Sequence, residues 1–155
     1  MKIAVLRIGR ASPGFFRAAA HAHVGMERVL CMNKLNDLCP DFPEWPERWM
    51  GVQRDLEYGK QLLEAMRPFA EHIVEGGLAK KTKKRHLTNL WLLGGEIIRS
   101  VSLYDEYSIP AFEKLRDSVG SDGGPYCRHL NSEYELKSFE TTCRKLHKFF
   151  DRGKR

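Results

Sequence analysis

This sequence predicts an all-α fold: a single irregular bundle of four to five helices with an extended, aromatic and proline-rich strap at its N-terminal front. Three observations predict it. Apolar residues recur at spacings of three and four through the long segments between Val52 and Phe150, the period that lays one stripe of a helix against a core. Glycine and proline separate those segments by short connections, which suits a bundle. A chain of 155 residues with 42% hydrophobic content can bury one core of ordinary size and favours one domain.

That domain is expected over residues 32–152. Residues 1–31 have little periodicity and no cap signals and carry Lys2, Arg7, Arg10, Arg17 and Arg28 against the single acid Glu27. They read as a basic arm without regular structure, or as an over-extended start, since Met26 and Met32 lie just downstream. From Cys39 to Trp49, three prolines alternate with Phe42, Trp45 and Trp49. Proline removes a backbone donor and argues against regular helix, whereas the rings offer anchors onto a core. The segment therefore reads as an extended strap, with an exposed partner-binding peptide as the alternative.

The first long helix is expected from about Val52 to Met66, with Leu56, Leu62, Leu63 and Met66 buried. Pro68 should then start or kink a second piece running to Glu75. Gly76-Gly77 reads as a stop in the left-handed conformation. The next helix, about Ala79 to Ser100, places Leu87, Leu90, Trp91, Gly94, Ile97, Ile98 and Val101 on one face. Each of Gly94 and Gly95 costs it about 1 kcal/mol of propensity relative to alanine, so they mark a place where another helix packs close to the backbone. Pro110 suits the start of a short helix carrying Phe112, Leu115 and Val119, ended by Gly120. Residues 121–131, with Asp-Gly-Gly-Pro, read as an exposed turn. Ser132, followed three residues later by Glu135, opens the last helix in a reciprocal capping arrangement. Leu136, Phe139, Cys143, Leu146 and Phe150 continue it at three and four spacing.

Lys and Arg outnumber Asp and Glu by 26 to 20, so an acidic partner such as nucleic acid suits the chain better than a basic one. Arg7 and Arg10 interrupt the only apolar run near the start, so no secretory signal is read. No stretch approaches the roughly 20 apolar residues of a membrane span. The expected compartment is the cytoplasm, where Cys31, Cys39, Cys127 and Cys143 stay reduced.

The sharpest local feature is Lys80-Lys81-Thr82-Lys83-Lys84-Arg85 at the start of a helix. Cations there oppose the helix dipole. A surface that accepts the penalty suits an anion held by backbone N–H groups, the Thr82 hydroxyl and the lysines; the alternative is a solvated charged turn. The order helix, Gly76-Gly77-Leu78-Ala79-Lys80-Lys81-Thr82, amphipathic helix over Leu63–Arg99 resembles the core-binding, SAM-like domain of tyrosine recombinases and phage integrases. That resemblance implies that Lys80, Lys81, Thr82, Lys83, Lys84 and Arg85 contact DNA phosphates and that Leu87, Leu90 and Trp91 are core. The stretches Trp91–Arg99 and Cys143–His147 are also similar to small bacterial proteins that accompany mobile elements. The recombinases' catalytic half has no counterpart: none of the six histidines stands in a His-x-x-Arg pair.

Cys127, His129, Cys143 and His147 form a second constellation, the last two sharing a helix face as metal ligands often do. Against zinc, Cys143 falls on the core stripe, where a free cysteine packs as a small hydrophobe. A cysteine–histidine nucleophile pair from the same residues lacks an orienting acid and an oxyanion site. Asp105-Glu106 and Glu133/Glu135 lie where solubility and capping explain them. No phosphate loop of Walker or Rossmann spacing occurs. The expected function is therefore non-enzymatic DNA binding without a cofactor, with backbone contacts from the basic helix start and the C-terminal Lys/Arg cluster. The rival is a protein-interaction module, an adaptor or antitoxin-like partner, that uses Phe42, Trp45 and Trp49 as a surface.

Overall fold

The structure, a computed structural model, describes residues 25–30, 32 and 34–154. Most of the expected basic arm lies outside the described residues. Residues 25–30 are helical and exposed, so helix begins ahead of Met32. Residues 34–38 are helical too, and they place Leu35 in the core.

The strap is not extended. Phe42–Glu44 is a 3-10 turn that leads directly into helix α1 (Trp45–Trp49), each with a proline in its first turn. A first-turn N–H has no intrahelical acceptor to lose, so Pro43 and Pro46 are tolerated there. The anchoring role holds: Phe42, Trp45 and Trp49 are all buried, with successive ring centroids 4.6 and 5.7 Å apart.

Helix α2 (Gln53–Glu75) is continuous through Pro68. Pro68 is exposed, so the carbonyl it leaves without a donor lies on the water side. Burial of Leu62 and Met66 before it and of Phe69 and Ile73 after it holds both halves to one core face. The helix opens on Asp55, whose Oδ2 accepts the N–H groups of Gly51 and Val52 at 2.9 Å each while Oδ1 accepts the Tyr107 hydroxyl at 2.7 Å. Gly76 closes α2 with φ −64° and ψ 168°, extended rather than left-handed.

Helix α3 (Lys80–Tyr104) outruns the predicted end and stops at Asp105, which takes the left-handed conformation at φ 53°. Helix α4 (Ala111–Ser118) buries Ala111 and Leu115. Phe112, expected on its core side, is 49% exposed and packs edge-on against Phe150 with centroids 5.3 Å apart. Helix α5 (Glu133–Arg152) starts as expected: Ser132 Oγ accepts the Glu135 N–H. The return bond reaches one residue further back, with Glu135 Oε2 accepting from Asn131 N. Phe139, Cys143 and Leu146 are buried, while Leu136 is largely exposed.

Helix α1 packs on α2 and α3, α2 holds α3 and α4, and α5 lies against α3. Among the described residues there is no β-strand, only an isolated bridge between Gly120 and Gly123. No helix among them is long and apolar enough to cross a membrane.

Candidate nucleic-acid interface

The basic cluster lies where α2 ends and α3 begins. Ala79 caps α3 in an extended conformation without a side-chain hydrogen bond, so the first N–H groups of the helix are left unfilled by any side chain of the cap residue. Lys80, Lys81, Lys84 and Arg85 are exposed, and Thr82 and Lys83 are half-buried. The ion pairs of the described residues include none of the cluster. Lys83 folds back instead: its Nζ donates to the carbonyl of Val74 at 2.6 Å, placing a cation on the negative end of α2. Arg85 donates to the Tyr134 hydroxyl on α5 at 2.9 Å. The six predicted residues therefore divide. Lys80, Lys81 and Lys84 project freely, Arg85 is braced but exposed, and Lys83 serves the junction of two helices.

The same face of α3 continues beyond the cluster. Lys84, Thr88, Trp91, Gly95 and Arg99 follow at spacings of four and three, so they share one side of the helix. Two clefts open along it. One, of about 360 Å³, lies toward residues 38–48 and is lined by Lys84, Thr88 and Trp91. The other, of about 440 Å³, is walled by Arg48 and Trp49 from α1, by Trp91, Gly95 and Arg99 from α3, and by Arg128 and His129 from the loop before α5. Sequence reading missed this cleft: Arg48 and Arg128 are 80 positions apart, and nothing local marks them as neighbours. The signal that was present is Arg99, on the same helical face as Lys84. The C-terminal cations Arg152 and Lys154 line a different, apolar groove of about 790 Å³ with Phe112, Phe149 and Phe150, and Arg155 lies outside the described residues.

Two expected alternatives fare differently from the cluster. Phe42, Trp45 and Trp49 are core residues; they form no exposed aromatic patch, although Trp49 reaches a wall of the 440 Å³ cleft and Trp45 a wall of the 360 Å³ one. Of the four metal candidates, Cys127 and Cys143 are buried, His129 is exposed, and His147 lies beside Asp151 at 3.4 Å. No group of three or more His, Cys, Asp or Glu among the described residues is placed to hold a metal. Burial pushes the Cys143 thiol up to about 12, and it raises Cys127 as well. Burial and the bond to Asp41 push Cys39 up to about 12. Thiols shifted in this direction are weak nucleophiles at neutral pH.

Beneath the exposed face, α3 is locked to α5 by a buried polar network whose members have no local signature in the chain. Thr142 Oγ1 lies 2.8 Å from His86 Nδ1 and accepts from Asn89 Nδ2 at 2.9 Å, and Asn89 also donates to Ser138. Burial, with Lys145 and Arg85 nearby, holds the His86 pKa below the usual imidazole value.

No family model, no curated protein and no solved structure matches the chain.

Proposed function

We propose that this protein is a non-enzymatic accessory that binds nucleic acid through backbone phosphates, using Lys80, Lys81, Lys84 and Arg85 at the start of α3. The observation that carries the reading is that these cations are exposed and unpaired with carboxylates among the described residues on a helix N-terminus whose cap side chain satisfies no N–H. Phosphate oxygens would take up those donors and relieve the mutual repulsion of the lysines. Thr82 stands at the edge of the contact, and Lys83 is withdrawn into the Val74 bond. The same residues carry the resemblance to recombinase core-binding domains. The rival reading through Phe42, Trp45 and Trp49 gains nothing from rings that are buried.

The test is equilibrium binding of a labelled DNA duplex across a salt series, for the wild type and for Lys80, Lys81 and Lys84 changed together to glutamine. Each phosphate neutralised on duplex DNA contributes about 0.9 to the slope of log affinity against log salt. The triple variant should therefore flatten that slope by between about 2 and 3 and weaken binding. Equal slopes and affinities for the two proteins would refute the assignment.

A further inference from the structure

We propose that the nucleic acid held here is single-stranded and that one of its bases enters the 440 Å³ cleft beside Trp91, its phosphates meeting Arg99, Arg128 and Arg48. This rests on the phosphate-contact reading above and specifies its ligand.

The first argument is continuity. Lys84 and Arg99 share a face of α3, and the fifteen helical steps from one to the other amount to about 22 Å of rise. Cations at both ends of that length, with Arg128 flanking its far half, make a track along which an extended strand is neutralised repeatedly; Arg48, on the opposite wall, is shared with Asp41 and Glu44. The second is the composition of the cleft. Its walls combine Trp49, Trp91, Leu92 and Leu103 with Arg48, Arg99 and Arg128, apolar surface for a flat ring next to cations for a phosphate; the two carboxylates on the walls, Asp55 and Glu96, are already engaged by Tyr107 and Arg99. Its volume lies in the range of about 300–1,000 Å³ typical of small-ligand sites. Gly95 adds to the space because it has no side chain to project over Trp49.

The third argument is the state of the donors. Trp91 Nε1 is buried and has no hydrogen-bond partner. A buried N–H without an acceptor is costly, and because Trp91 lines both clefts, a base seated there that displaces the atoms covering Nε1 would supply one. Ring nitrogens and carbonyl oxygens of bases are such acceptors. Arg128 has no carboxylate partner among the described residues, and Arg99 reaches Glu96 at 3.5 Å, so both retain donors for phosphate. A duplex keeps its bases stacked and paired inside, whereas a single strand can turn one outward onto aromatic surface.

The experiment compares a labelled oligo-dT single strand with a duplex of the same length, for the wild type, Trp91→Phe and Arg128→Gln, with folding of each verified by circular dichroism. Trp91→Phe keeps an aromatic face on the cleft but removes the N–H together with the five-membered ring of the indole. The wild type should bind the single strand more tightly than the duplex. Trp91→Phe should weaken single-strand binding by roughly two- to tenfold and leave duplex binding unchanged. Arg128→Gln should flatten the single-strand salt slope by about 0.7. Duplex binding as tight as single-strand binding, or single-strand binding indifferent to both substitutions, would overturn the cleft assignment and leave the phosphate contact standing. A wild type that binds neither form would take both readings down.

Discussion

Gly94 and Gly95 are neighbours in sequence with opposite consequences. A Cβ on Gly94 would stand 2.2 Å from Cζ2 of Trp49, within the ring's own volume, while one on Gly95 would make an ordinary 3.5 Å contact with Trp49 Cδ1. The Trp49 ring cannot swing aside cheaply, because its Nε1 donates to the Trp91 carbonyl at 3.0 Å and the ring is packed against Trp45. Gly94→Ala should therefore destabilise the fold, the overpacking cost of about 1–3 kcal/mol exceeding the propensity gain of about 1 kcal/mol. Gly95→Ala should stabilise by up to about 1 kcal/mol through propensity alone. Chemical denaturation of the two variants separates them, and equal midpoints would contradict the assignment. The glycine pair was legible in the sequence as a close approach. That the approaching group is an indole ring from a five-residue helix was not, because it depends on a contact 45 positions away.

The junction of α2 and α3 separates two roles within one run of lysines. Lys83 Nζ satisfies the Val74 carbonyl at the end of α2, whereas Lys84 is exposed at the start of α3, where its charge opposes the dipole. Lys83→Met should lower stability by about 1 kcal/mol and leave nucleic-acid affinity near that of the wild type. Lys84→Gln should weaken binding and hold or raise stability by a few tenths of a kcal/mol. Paired measurements of denaturation midpoint and duplex affinity decide this, and loss of both properties in both variants would remove the distinction. The helices themselves were readable from the three-and-four spacing, and the Ser132–Glu135 start of α5 was readable to the residue. Boundaries set by tertiary contact were not. Pro68 does not break α2 because its ring faces water, and Pro43 and Pro46 do not prevent helix because they fall in first turns. The cluster at Lys80–Arg85 was visible as composition, but its division into projecting and withdrawn lysines depends on where α2 ends in space.

At the scale of the whole molecule, two of the polar contacts that join distant parts of the chain contain titratable groups that respond to acid in the same direction. Asp55 ties the turn before α2 to Tyr107, beyond α3. Burial raises its pKa, but the bonds from Tyr107, Val52, Gly51 and Ser102 outweigh burial and hold it below the usual carboxylate value of 3.8. Its contribution is present above that value and is lost as pH falls through the folded pKa. His86, in the network between α3 and α5, has a pKa lowered from 6.5 by burial and by Lys145 and Arg85. As pH falls below about 6.5, the unfolded chain takes up this proton while the folded chain resists it, so stability declines until the folded pKa is also passed. The two effects should produce a two-stage loss of stability on acidification, the first beginning near pH 6.5 and the second below pH 3.8. His86→Gln should erase the first stage and keep the second, at the cost of a lower plateau at neutral pH, because Thr142 loses its closest partner. Denaturation midpoints measured from pH 8 to pH 3 for both proteins provide the check. A wild-type profile flat between pH 7 and pH 5 would mean that His86 is not held neutral between α3 and α5, and that the buried network does not fix α3 in place.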